Sequence, residues 1–143
     1  MDPIEMRQGG ADILGPVLKP HGFAFAPGEV GKGSGGRFAQ GAFVRGNHRL
    51  EFSVRNSLGL VDYRVGDKRI THEEYMRVVA PPGKNSYPGF SDDPLDGFRH
   101  LASDLKKFCG VFLTGSDADF EAVVTQAENS PRKKGLSALS NPR

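Results

Sequence analysis

Four histidines, one cysteine and an acidic run near residue 93 hold most of the chemistry open to this 143-residue chain. His21, His48, His72 and His100 fall on four separate segments, and no pair has H-x-x-x-H spacing. His100 lies four residues from both Asp96 and Asp104, which places all three on one face of a helix. A metal needs three or four ligands that converge, whereas a single stripe points outward together. The trio therefore reads as a solvated face on which two carboxylates favour protonated His100, and no metal is expected. Cys109 stands alone, which excludes an intramolecular disulfide and a cysteine-based zinc cluster. It follows an apolar helical stripe, just before Gly110, with no neighbour that would strongly lower its pKa. It reads as a small buried hydrophobe rather than a nucleophile. The G-x-S-x-G elbow of serine hydrolases is absent.

Gly31, Gly33 and Gly36 have G-x-G-x-x-G spacing. A dinucleotide site needs a strand before those glycines and a helix after them. Here Pro27-Gly28 precedes and the strand-like Arg37-Phe38-Ala39 follows, so the run reads as a flexible hairpin loop. Pro82-Gly83-Lys84 is followed by Asn85, not by the Ser or Thr that would hold magnesium, and its prolines lack the N–H donors a phosphate cradle requires. No cofactor is expected.

The elements that must position these residues follow from periodicity. His48 to Arg55 alternates strictly: Leu50, Phe52 and Val54 face one side, and Arg49, Glu51, Ser53 and Arg55 the other. That is the pattern of a half-buried antiparallel strand. Gly46-Asn47 predicts a hairpin to a preceding strand from Arg37 to Arg45. Leu58 to Val65 repeats the alternation, with Val61, Tyr63 and Val65 inward and Asp62 and Arg64 outward. Gly66-Asp67 predicts a turn into a short strand around Arg69-Ile70, and Phe23-Ala24-Phe25 a further strand at the front. The period then lengthens. Thr71 and Glu74 form a capping box for a short helix stopped by Ala80-Pro81-Pro82, and residues 81–93 read as a long loop. Helices follow from Pro94 and from Ser116. Ahead of the sheet, Ile4, Ile13, Leu14, Val17 and Leu18 suggest helical segments weakened by Gly9-Gly10 and Gly15-Pro16. Strands first and helices afterwards predict an α+β fold: an antiparallel meander of four or five strands with helices on one face.

Two places remain as candidate binding surfaces. One is the polar sheet face, where Arg49, Arg55 and Arg64 project among Glu51 and Asp62. The other is the acidic run. There Asp93 caps the helix, Pro94 takes its first position and Asp96 lies in its first turn, which leaves Tyr87, Asp92 and His100 without a structural duty.

Hydrophobic residues make up 37% of the chain and charged residues 25%, a globular balance, with ten Phe to fill a core. Nineteen Gly and ten Pro predict many turns and few long helices. The net charge of +2 belongs to the end of the chain. Residues 130–143 hold Arg132, Lys133, Lys134 and Arg143 with no acid, and residues 1–129 hold 15 basic and 17 acidic residues. Residues 1–129 are expected to form one domain without an electrostatic footprint for nucleic acid, and residues 130–143 a disordered basic tail. No stretch has the ~20 apolar residues of a membrane span. With no signal-peptide pattern in residues 1–20 and a single thiol, the expected location is the cytoplasm.

A helix ending in Val17-Leu18-Lys19-Pro20-His21-Gly22-Phe23, then a strand meander, then helices, resembles small bacterial domains of unknown function. Some of these are encoded near polymorphic toxins and are suspected immunity proteins. The resemblance covers roughly residues 11–125 and brings no catalytic residue with it. It implies a non-catalytic domain with a protein partner. The alternative is an enzyme or small-ligand binder whose site lies between the sheet and loop 81–93, built from Tyr87, Asp92 and an arginine.

Overall fold

The computed structural model describes residues 1–80 and 93–129. The long loop expected over residues 81–93 lies almost wholly outside these residues, as does the basic tail. The chain is α+β. Five strands, β1 (Ala24–Gly33), β2 (Gly36–Arg45), β3 (His48–Val54), β4 (Leu58–Val65) and β5 (Lys68–Thr71), form one antiparallel sheet in sequential order. Helix α1 (Pro3–Leu18) precedes them, and α2 (His72–Val79), α3 (Asp96–Phe108), α4 (Gly110–Thr114) and α5 (Asp117–Asn129) follow. No helix among the described residues is long and apolar enough to cross a membrane.

The hairpins form where their turn residues predict. Gly46 and Gly66 take positive φ of 56° and 62° in the β2–β3 and β4–β5 connections, a region open to glycine without a Cβ clash. At the β1–β2 hairpin the strands run further than the glycine-rich sequence suggests. Gly31 and Gly33 belong to the ladder, and the turn is confined to Ser34-Gly35. A bulge between Pro27 and Val30 interrupts β1, and the Arg7 guanidinium donates to the carbonyls of Gly28 and Gln40 beside it at 3.3 and 3.1 Å. Helix α1 thus satisfies carbonyls at the irregular part of the sheet edge.

The period-two pattern puts most large apolar side chains of the strands on one side, with Leu60 of β4 left exposed. Phe43, Leu50, Phe52, Tyr63 and Ile70 are buried there, and the helices cover that side: α1 lies on β1 to β3, α2 on β4 and β5, and α5 on β5. Capping fixes where these helices start. Thr71 Oγ1 accepts from the Glu74 N–H at 3.1 Å while Glu74 returns the bond, and Ser116 and Asp119 do the same for α5.

Three features differ from expectation. Asp93 and Pro94 lie in a turn before α3 rather than at its cap: Asp93 Oδ1 accepts from the Leu95 N–H at 2.9 Å, and the helix begins at Asp96. Gly110 does not end the helical region, because α4 starts there after a break at Cys109. Helix α1 is one continuous 16-residue element despite its glycines, and a capping box between Asp2 and Glu5 starts it. The reason is tertiary. A Cβ at Gly9 would stand 2.9 Å from Leu95 Cδ1, and one at Gly10 would overlap the Phe98 ring. The glycines let α1 and α3 approach, and that packing outweighs their helix propensity.

The two kinds of glycine make opposite predictions. Gly10→Ala is expected to lower stability by about 1–3 kcal/mol in urea unfolding, as overpacking does. Gly15→Ala, whose new methyl would meet the flexible Lys19 side chain at 3.4 Å, is expected to raise it by about 0.5–1 kcal/mol. Equal effects at the two positions would contradict the packing role of Gly10.

Candidate functional site

On the side of the sheet away from the helices, cross-strand register builds a charged surface. Arg49 of β3 pairs directly with Arg64 of β4, which pairs with Arg69 of β5. The neighbouring row runs Ala26, Ala42, Glu51, Asp62 and Thr71 across all five strands. Three arginines thus stand in one row and two carboxylates in the next. Glu51 accepts from Arg49 Nε at 2.8 Å and from Arg64 Nε at 3.2 Å, so one carboxylate serves two guanidiniums. Arg69 gives two N–H bonds to Asp62 Oδ2, at 3.2 and 2.6 Å. The other oxygen, Asp62 Oδ1, is buried and has no hydrogen-bond partner among the described residues.

Beside the charges lies an open trough of about 280 Å³, bordered by Ala26, Pro27, Ala42, Glu51, Leu60 and Asp62. Small residues make its floor. Leu60 stands on its rim with 73% of its surface exposed, and Val30, near the bulge, is 45% exposed.

The sequence-derived candidates separate on this framework. Arg49 and Arg64 come together. Arg55 does not join them: it lies beyond the far end of β3, six residues or about 20 Å along the strand from Arg49. Its Nη1 donates to the Gly36 carbonyl at 2.8 Å and its guanidinium sits 5.5 Å from the Phe38 ring centre, so it braces the β1–β2 turn. His100 lies half-buried on α3. Tyr87 and Asp92 lie outside the described residues. Arg69 escaped notice, although the alternation of Lys68-Arg69-Ile70 around an inward Ile70 was the signal for it.

Asp104 is not part of an exposed stripe with Asp96 and His100. It is buried, and its Oδ2 lies 2.9 Å from His72 Nε2. His72 Nδ1 in turn lies 2.8 Å from the Tyr63 hydroxyl, which is 3.9 Å from Cys109 Sγ. An imidazole carrying its proton on Nε2 donates to Asp104 and accepts from Tyr63, and the tyrosine oxygen can accept from the thiol. The signal was a carboxylate three residues after Leu101 and four before Phe108, on the edge of the apolar stripe. This chain links β4, α2, α3 and the α3–α4 junction. Burial pushes the Cys109 thiol up to about 12 and the Tyr63 phenol well above its usual range, so neither is poised as a nucleophile or base. No group of three or more His, Cys, Asp or Glu among the described residues could hold a metal ion.

His48, unlike the partly exposed His72, is buried. Nδ1 bonds Asn47 Oδ1 at 2.9 Å, while Nε2 is buried with no hydrogen bond among the described residues, 4.0 Å from Asp117 Oδ1. Desolvation and the Arg45 guanidinium lower its pKa, against a smaller upward pull from Asp117. The unfolded chain, with His48 near 6.5, therefore binds the proton more readily than the folded one. This contribution to stability is complete above about pH 6.5 and is lost as pH falls below it. Urea unfolding across this range is expected to show the decline, and His48→Phe to reduce its slope; an unchanged slope would contradict the assignment.

Comparison of the chain with protein-family models, with curated proteins and with solved structures finds no match in any of the three.

Proposed function

We propose that this protein is a non-catalytic binding protein that meets a protein partner with the sheet face that no described helix covers, in the manner of an immunity protein. The observation that carries the reading is the combination on that face of a highly exposed Leu60, a trough floored by small residues, and a row of arginines. An apolar anchor beside arginines is the composition of an interaction surface, since arginine is enriched at interfaces and large apolar groups contribute most when desolvated there. The immunity-like part rests on the Lys19-Pro20-His21-Gly22 helix end and the meander after it. Tyr63, His72, Asp104 and Cys109 lend no support to catalysis, because their hydrogen bonds are spent on one another.

The test is partner binding by variants of the two sides. A partner co-purified from the source organism and then prepared pure is expected to bind Leu60→Arg at least about tenfold more weakly, a loss of about 1.4 kcal/mol. Lys107→Glu, on the exposed side of α3, is expected to bind as the parent does. Equal binding by the Leu60 variant and the parent would remove the sheet face from the account.

A further inference from the structure

Resting on that reading of the face, we propose that the partner presents an acidic segment. Its carboxylates would dock on Arg49, Arg64 and Arg69 while a neighbouring apolar side chain enters the trough beside Leu60.

The row itself is the first argument. Directly opposed like charges on a sheet are destabilising, and here two successive pairs, Arg49 with Arg64 and Arg64 with Arg69, are both Arg–Arg. A sheet face selected for stability alone would alternate signs along such a row. The row next to it supplies two carboxylates for three guanidiniums, so the face keeps an unmatched positive charge.

Geometry is the second argument. Arg49 and Arg64 each spend their Nε–H on Glu51, and among the described residues their Nη groups make no hydrogen bond. A guanidinium offers a planar fork that suits a carboxylate, and Glu51 holds two such forks side by side. Strands lie about 4.8 Å apart, so the three arginines span about 10 Å. Carboxylates about 5–6 Å apart, as on successive turns of a helix, match that spacing.

The charge balance argues against a nucleic acid. Residues 1–129 carry more acids than bases, 17 to 15. Nucleic-acid binding depends on a broad basic field that displaces many counterions. A short protein segment needs two or three matched carboxylates and an apolar anchor, which this face provides.

Hexaglutamate is a suitable probe. Titrated into the full chain and followed by the arginine Nε–H and leucine methyl NMR signals, it is expected to shift Arg49, Arg64 and Leu60 saturably. Hexalysine is expected to shift none of them. The shifts are expected to fade between about 0.05 and 0.5 M salt, because exposed charges are screened. With Arg49→Gln and Arg64→Gln together, affinity is expected to fall about tenfold or more, since both forks are lost. No shift at Arg49 and Arg64, or shifts confined to residues 130–143, would overturn the proposal. So would equal or tighter binding of a hexanucleotide at the same three residues. If a purified partner is lost by Leu60→Arg yet bound unchanged by the double arginine variant, the sheet-face reading stands and the acidic partner is wrong.

Discussion

Tyr63 is the point where the sheet holds the helices. It sits at the middle of the apolar face with its ring edge-on to Tyr75 of α2 at 5.0 Å and to Phe112 of α4 at 4.9 Å. Its hydroxyl reaches His72 and, through it, Asp104 of α3. One residue of β4 therefore carries both the aromatic packing and the polar chain that fix three helices. A buried hydroxyl and carboxylate cost free energy unless bonded, and here each is bonded to the next. The arrangement defines one packing of the helices among the many that an apolar face alone would allow.

That anchoring has a consequence for the opposite side. Period-two alternation commits most of the strands' large apolar residues to the face that Tyr63 occupies, so the residues between them, Leu60 included, point away from the helices. The fold needs little from them. It is on this released side that a local rule is broken: three arginines stand opposed where alternating charge would be more stable. Glu51 and Asp62 reduce the repulsion without removing it. The face with no task in building the domain carries the feature that building the domain does not explain.

Much of the framework is legible in the chain. Leu50, Phe52 and Val54, then Val61, Tyr63 and Val65, announce two strands and their buried face, and Gly46-Asn47 announces the hairpin before them. Thr71 with Glu74, and Ser116 with the acids after it, mark helix starts. These signals are local, and local physics decides them. What was not legible depends on residues distant in sequence. Gly9-Gly10 looks like a weak helix until Leu95 and Phe98 arrive against it. Asp104 looks like a solvated acid until His72 meets it. Arg49, Arg55 and Arg64 look like one set, because alternation reports the face and says nothing of register. Register places Arg64 opposite Arg49, brings in Arg69 and leaves Arg55 at the β1–β2 turn.

The account turns on the arginine row being kept for a partner rather than for the fold, and the stability of Arg64→Gln tests this most directly. Arg64 is about half exposed and its bond to Glu51 is shared with Arg49. Removing it deletes one exposed pair and relieves two like-charge contacts. Urea unfolding of this variant is predicted to give a stability equal to the parent within about 0.5 kcal/mol, or higher. A loss of more than about 1 kcal/mol would contradict the account, because the row would then be part of what holds the sheet together.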